Sequence, residues 1–355
     1  MRILIDIGHP AHVHLFKHFA WLMQEKGNEI LFTVRDKEHE VYLLKSYGFN
    51  YISIGKHYKT RFGKILGAIK IEIRLIRIAS DFKPDILLSH GSFYAAHVGW
   101  LLRKSIITME DTGNMEQVRL YLPFTSSILT SNVFHKELGK KQIRYNGFHE
   151  LAYLHPKRVT GTGDIREKLG VNNEEKLILI RFVSWNATHD KGKEGLPLEF
   201  KHLLMSKLDR IGRIFISSEN NLDSEFERYK IAIPPERIHE VIGEADLFIG
   251  EGATMASESA MLGTPAIYIN PLYAGTIDDQ ERHGLLFHFR NFEGVLDKAI
   301  ELLNDPNSKE KNKRKRDEFV KNKIDVTNFL IWFVENYPES TSIMKENPEY
   351  QYRFK

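Results

Sequence analysis

Short apolar runs, each closed by a small or polar residue, alternate with helix-length segments along most of this chain. No other feature restricts the possible folds as much. Ile3 to Ile7 ends at Gly8, and a helical stretch carrying Val13, Phe16, Phe19, Ala20 and Met23 follows up to Gly27. Ile30 to Val34 and Tyr51 to Ile54 read as strands, with a helix carrying Tyr42, Leu43 and Leu44 between them. A long basic amphipathic helix, about Phe62 to Ala79, leads to a strand over Asp85 to Leu88. A helix over Ala95 to Leu102 and strands over Ile106 to Met109 and Ile128 to Thr130 follow. The second half repeats the scheme with strands over Leu177 to Phe182, Ile214 to Ser217, Leu247 to Gly250 and Ala266 to Ile269. Helices over Ala253 to Leu262 and about Phe292 to Leu303 complete that half. Alternation of this kind predicts right-handed βαβ units and mostly parallel sheets.

At roughly 100–200 residues per domain, 355 residues make two domains. The polar, glycine-containing stretch Pro156 to Asn173 reads as the break. The expected architecture is α/β: two doubly wound, Rossmann-like domains facing a cleft, 1–158 and 159–325, followed by a helix and tail over 326–355. Asp305 to Lys323 reads as a solvated surface helix opened by Asp305 and Pro306, and the polar tail from Glu339 reads as irregular. In doubly wound sheets ligands bind beyond the carboxyl ends of the strands, so the informative residues should follow strands.

Composition narrows the function. Fifty Lys and Arg against 47 Asp and Glu give +3, which does not point to nucleic acid. The absence of cysteine excludes a disulfide scaffold, a thiolate zinc site and a cysteine nucleophile, and fits a reducing compartment. No apolar stretch reaches a membrane-spanning length. The expected location is cytoplasmic. Lys56 to Arg77 carries seven cations and one acidic residue interleaved with Ile65, Leu66, Ile69, Ile73 and Ile76, so peripheral contact with the inner face of a membrane is open alongside an ordinary solvated helix.

Four constellations follow strands. Gly8-His9-Pro10-Ala11-His12-Val13-His14 comes first. With a helix starting near Ala11, His12 and His14 point about 200° apart and do not share an ion, so no metal is expected. A neutral imidazole at a helix N-terminus can act as a base towards a sugar hydroxyl. Ser89-His90-Gly91-Ser92 with Glu110 and Asp111 could bind acceptor hydroxyls or take part in proton transfer. Arg181 to Asn186, with His189 beyond, offers Ser184 and Asn186 to a diphosphate and Trp185 to a base or sugar. Gly250-Glu251-Gly252-Ala253-Thr254-Met255-Ala256-Ser257-Glu258 turns from a strand into a helix. Its small residues Gly252, Ala253 and Thr254 and its free N–H groups suit phosphate oxygens, and Glu258 could accept two ribose hydroxyls. The spacing is neither GxGxxG nor a Walker A loop, which argues against a nicotinamide dehydrogenase.

These loops resemble the glycosyltransferase-B superfamily, in particular the N-acetylglucosaminyltransferase that forms lipid II. Ala11-His12-Val13 stands where that family has Gly-His-Val before its first helix, so the resemblance implies His12 as base. Pro84 to Gly91, Met109-Glu110-Asp111 and Tyr145-Asn146-Gly147-Phe148-His149 are similar to three further family segments. Gly252, Ala253 and Glu258 match its nucleotide loop, which implies that Glu258 holds the ribose of a UDP-sugar. Asp278-Asp279-Gln280 looks like the loop that touches the donor sugar, which brings in Gln280. By the same resemblance the helix over Val326 to Tyr337 would cross back to the first domain. The stretches IDIGHPAHVH, RFVSWNATHD, GEGATMASE and DVTNFLIWFVENYPE resemble an uncharacterised family grouped with these enzymes. Glu251 departs from the pattern, standing where the transferase has Ser, and would repel phosphates unless it faces away or is protonated.

The expected function is therefore metal-independent transfer of a sugar from a nucleotide diphosphate donor, UDP-linked, to a glycan or lipid-linked acceptor. His12, Glu110 and Asp111 would do the chemistry. Ser184, Asn186, Gly252, Ala253, Thr254, Glu258 and Gln280 would hold the donor, with no further cofactor. A non-hydrolysing nucleotide-sugar 2-epimerase, similar to the UDP-GlcNAc 2-epimerases, using Glu110, Asp111 and His189 or His149 is the alternative within the fold. A non-catalytic sugar-nucleotide-binding protein is the alternative outside enzymes.

Overall fold

The computed structural model describes residues 1–35, 38–55, 61–159, 161–183, 195–218, 222–271 and 275–355. Internal packing divides the chain into two units. One is Met1–Tyr153 together with Lys323–Lys355, and the other is Leu154–Asn322.

Among the described residues the first unit has a seven-stranded sheet: β1 (Arg2–Ile7), β2 (Glu29–Arg35), β3 (Tyr51–Gly55), β4 (Ile86–His90), β5 (Ser105–Glu110), β6 (Ser127–Ser131) and β7 (Gln142–Tyr145), in the order β3-β2-β1-β4-β5-β6-β7. Every pair is parallel. Such strands are covered on both faces, which is why they read as continuous apolar runs rather than alternating ones. Ile3, Leu4, Ile5 and Ile7 of β1 are all buried. The strand order reverses between β1 and β4, where Asp6 lies opposite Ser89. That reversal opens a crevice at the carboxyl ends of the two strands.

The helix Pro10–Glu25 leaves this point at once. Pro10 suits the first helical position because its missing N–H has no partner to lose. The His9 ring accepts a bond from the Ala11 N–H at 3.2 Å, capping the helix. The helix therefore starts one residue before Ala11, at the same edge as His12.

Among the described residues the second unit has a five-stranded sheet: β8 (Lys176–Phe182), β9 (Gly212–Ser218), β10 (Leu247–Gly250), β11 (Ala266–Ile269) and β12 (Phe287–Phe289), in the order β12-β11-β10-β8-β9. It is also parallel throughout. Its reversal lies between β8 and β10. Ile178, Ile180, Leu247, Ile249 and Ile267 form the centre of its core.

Several elements were not legible as such, among them the helices Leu198–Leu208, Ile238–Glu244 and Gly275–Arg282. β7 and β12 are short and carry Arg or His among their apolar residues, and the helix Met115–Tyr121 spans only seven residues. Helix starts also differ. The helix expected from about Phe292 begins at Val295, after Gly294 takes a left-handed conformation (φ 76°), and the one expected from Asp305 begins at Ser308.

The tail is not irregular. It forms the helix Glu339–Glu346 and a 3-10 segment, Pro348–Phe354. Its order comes from tertiary contacts rather than local apolar periodicity. Ser340 Oγ donates to the Phe333 carbonyl at 2.7 Å, Tyr350 stacks on Trp332 with centroids 4.7 Å apart, and Gln351 Oε1 accepts from the Asn146 N–H at 2.6 Å. The helix Val326–Glu335 likewise belongs to the first unit, and Thr327 Oγ1 donates to the Ala152 carbonyl at 2.6 Å.

Candidate functional site

The carboxyl edge of the first sheet gathers histidines from three strand ends. His12 comes from the helix after β1, His90 ends β4, and His149 follows β7. The His12 and His90 rings lie 4.3 Å apart, and His90 and His149 5.0 Å apart. Asp111, just beyond β5, joins the last two. Its Oδ1 is 2.9 Å from His90 Nε2 and its Oδ2 is 3.1 Å from His149 Nδ1. One carboxylate thus orients two imidazoles. Among the described residues, His149 Nε2 and the Tyr145 hydroxyl are buried beside it without a hydrogen-bond partner.

The charges are ordered. Partial desolvation works to raise the Asp111 carboxyl, whose side chain is still 37% exposed, but His149 and then His90 outweigh it and hold the group well below the usual carboxylate range. Burial works to lower His90, but Asp111 and Glu110 outweigh it and the ring titrates above its ordinary value. His12 goes the other way. Burial, then the neighbouring His90 and His9, push it well below the ordinary imidazole value, so it is neutral. The Gly8 N–H donates to His12 Nδ1 at 3.3 Å. In the neutral ring this bond places the proton on Nε2.

Glu110 has a different task. Oε1 accepts from the Thr112 N–H at 2.7 Å, the Thr112 hydroxyl at 2.6 Å and the Gly113 N–H at 2.9 Å. Oε2 accepts from the Tyr121 hydroxyl at 2.5 Å. These bonds fill the carboxylate and fix the turn that presents Asp111. A second buried acid, Asp6, ties β1 to its neighbours by accepting from Thr33 Oγ1 at 2.7 Å and from Ser92 Oγ at 2.6 Å. Arg35, at the end of β2, lays its guanidinium over Gly8, where a Cβ would meet Nη2 at 1.8 Å. Glycine at this position leaves room for that cation.

In the second unit Gly252 precedes the helix Ala253–Leu262 and gives it no side-chain cap. The N–H groups of the first turn, Ala253 and Thr254 among them, therefore point out of the helix end, where the helix dipole favours anions. Glu251 does not face them. Its buried carboxylate accepts from the Leu196 N–H at 2.9 Å and the Val183 N–H at 3.3 Å, which removes the expected repulsion of phosphate. Glu258 is buried and lies 3.0 Å from His239 Nε2. Gln280 Nε2 donates to Ser257 Oγ at 2.7 Å, so Gln280 and the Glu258 helix are joined, while Gln280 Oε1 is buried without a partner among the described residues. Ser184, Trp185, Asn186 and His189 lie outside the described residues.

Sequence reasoning placed His12, His90, Glu110 and Asp111 after strands and named His149 in the epimerase alternative, and the structure makes His90 and His149 direct partners of Asp111. His149 could be placed only once β7 was recognised as a strand, because its position at the sheet edge depends on β7.

Residues 1–331 match the family described as "Protein of unknown function (DUF354)". The chain belongs to this family. A similar protein, "Uncharacterized protein MJ0665" of Methanocaldococcus jannaschii, is 27% identical over 283 residues, covering 76% of this chain and 82% of that one. Among solved structures, a Staphylococcus aureus MnaA–UDP structure is similar at TM-score 0.68, with 14% identity over 96% of this chain and 97% of that chain. UDP-GlcNAc 2-epimerase from Neisseria meningitidis, bound to UDP-GlcNAc, gives TM-score 0.65 and 14% identity over 88% and 94%. Spinosyn rhamnosyltransferase SpnG, complexed with spinosyn aglycone, gives 0.62 and 14% over 95% and 100%. The fold of this DUF354 chain is therefore glycosyltransferase-B, built from two Rossmann-like domains.

Proposed function

We propose that this chain transfers a sugar from a nucleotide diphosphate donor, UDP-linked, to a hydroxyl of a glycan or lipid-linked acceptor, with the Asp111–His149 pair as general base. The observation that carries this is the placement of His149. Asp111 Oδ2 lies 3.1 Å from its Nδ1, which turns Nε2 away from the carboxylate, buried and, among the described residues, without a hydrogen-bond partner; whenever the ring is neutral, its lone pair lies on Nε2. A carboxylate that orients an imidazole in this way also stabilises the imidazolium that forms. The acceptor hydroxyl would lose its proton to Nε2 as its oxygen bonds the anomeric carbon. The bond from that carbon to the diphosphate oxygen breaks, and the nucleoside diphosphate leaves with the electron pair. His12, neutral with Nε2–H, would donate to an acceptor oxygen. The helix Ala253–Leu262 would receive diphosphate charge at its N-terminus, Glu258 would hold the ribose, and Gln280 would orient the sugar. The reading needs no metal or further cofactor. The nucleotide-bound structural neighbours support the choice of donor.

A thermal-shift screen against UDP, GDP, CMP, dTDP and their sugars tests the donor. At a hundredfold excess over Kd a bound ligand stabilises by about 2.7 kcal/mol. A shift with one nucleotide that is lost in Glu258→Ala is expected, followed by acceptor-dependent release of the diphosphate that His149→Gln abolishes. No shift with any nucleotide at saturation would end the proposal.

A second reading, nucleotide-sugar 2-epimerase, is favoured by the second imidazole on Asp111. His90 and His149 on one carboxylate allow a proton to be removed by one ring and returned by another. Incorporation of solvent deuterium at C2 of the donor sugar without any acceptor would select this reading over transfer.

A further inference from the structure

The helix Arg61–Phe82 is apolar on both sides. Its inner face, with Ile71, Leu75 and Ala79, packs into the core of the first unit. Its outer face should be polar in an ordinary surface helix. Instead Leu66, Ile69 and Ile73, at helical spacing, are between 45% and 49% exposed. Lys70, Arg74 and Arg77 lie beside them and are also exposed. Of the helix's two acidic residues, Glu72 is turned sideways to His97, with Oε1 2.7 Å from Nδ1, and Asp81 is exposed one turn beyond Arg77, so the cations still outnumber it three to one.

That bond extends the surface. His97 belongs to the adjoining helix Phe93–Leu101, and its Nε2 also reaches the Leu120 carbonyl at 3.0 Å. Trp100 and Leu101 follow His97 by three and four residues and so share its side of the helix. They are 61% and 56% exposed, and Leu120 is exposed as well. Three helices thus contribute large apolar side chains to one solvent-facing region bordered by cations. Contiguous exposure of this kind marks an interaction surface.

We infer that this face docks on an anionic lipid bilayer. The charge pattern selects the occupant. A two-fold self-association would set the patch against itself and bring Lys70, Arg74 and Arg77 against like charges. A lipid surface offers the reverse: anionic headgroups for the cations and an acyl boundary for the isoleucines and Trp100. No helix among the described residues is long and apolar enough to cross a membrane, so this contact would lie in the interface.

The test uses the full chain in co-sedimentation with vesicles of phosphatidylcholine alone and of phosphatidylcholine with phosphatidylglycerol. Salt-sensitive binding to the anionic vesicles is expected, with little binding to the neutral ones. Lys70→Gln/Arg74→Gln/Arg77→Gln should weaken binding on the order of a hundredfold, and Ile69→Ser/Ile73→Ser should weaken it at low salt too. All five side chains are exposed, and circular dichroism would verify that the variants keep the fold. No pelleting with anionic vesicles, or undiminished pelleting of both variants, overturns the inference. So does a wild-type dimer that Ile69→Ser/Ile73→Ser dissolves, without vesicle binding. The outcome is independent of the donor reading, which nucleotide binding by the same variants checks separately.

Discussion

Replacing Asp111 by Asn keeps the size of the side chain but removes the charge that both His90 and His149 face. His149 then loses the partner that fixes its tautomer, and turnover should fall by at least about a hundredfold, the usual scale of general-base catalysis. Linkage gives the pH dependence a sign. Asp111 titrates below its ordinary value when folded, so its contribution to stability is present above the unfolded pKa, about 3.9, and is lost as pH falls through the depressed folded value. His90 titrates above its ordinary value when folded, so its contribution is full below about 6.5 and is lost as pH rises through the folded value. The attraction between them is complete between those limits. Urea denaturation should therefore show a larger stability gap between wild type and Asp111→Asn near pH 5 than near pH 8. An equal gap at both would mean that the two groups are not charged partners. His90 should also titrate lower in the variant, read from its imidazole proton resonances.

At the scale of elements, a buried acceptor can tie a strand end to residues distant in sequence. Glu251, just after β10, accepts from the backbone N–H groups of Val183 and Leu196. In Glu251→Ala the buried Leu196 N–H is left unpaired, at a cost of about 1–3 kcal/mol, measured by chemical denaturation. Glu251→Gln keeps one acceptor oxygen and should recover part of that. The same residue shows where sequence reading ends. Its place after β10 was legible because Leu247 to Gly250 is a continuous apolar run, but the direction of its carboxylate depends on N–H groups more than fifty positions away. The core strands were legible for a similar reason: burial on both faces leaves little but apolar residues, as in β1 and β4. β7 was not, because Gln142 and Arg144 alternate with its buried residues, and with β7 went the position of His149. The resemblance to transferases pointed to His12, and only the Gly8 N–H bond showed which nitrogen of that ring carries the proton.

At the scale of the molecule, the two units differ in how the chain builds them. Residues 154–322 form theirs from one continuous stretch, whereas the other needs 323–355 as well as 1–153. In that first unit Val326, Phe329, Leu330, Phe333 and Val334 of the returning helix are buried. At about 1.5–3 kcal/mol for each large apolar side chain, their burial contributes on the order of ten kcal/mol, as much as the net stability of an ordinary domain. Gly147 adds a steric fit at the same place, since a Cβ there would lie 2.7 Å from Val326 Cγ2. A fragment of residues 154–322 should therefore unfold cooperatively by itself, while 1–153 should not fold until a 323–355 peptide is added. Urea titration followed by circular dichroism distinguishes the cases. A cooperative transition for 1–153 alone would mean that the seven-stranded sheet and its own helices suffice, and that the returning helix serves the carboxyl edge of that sheet rather than its stability.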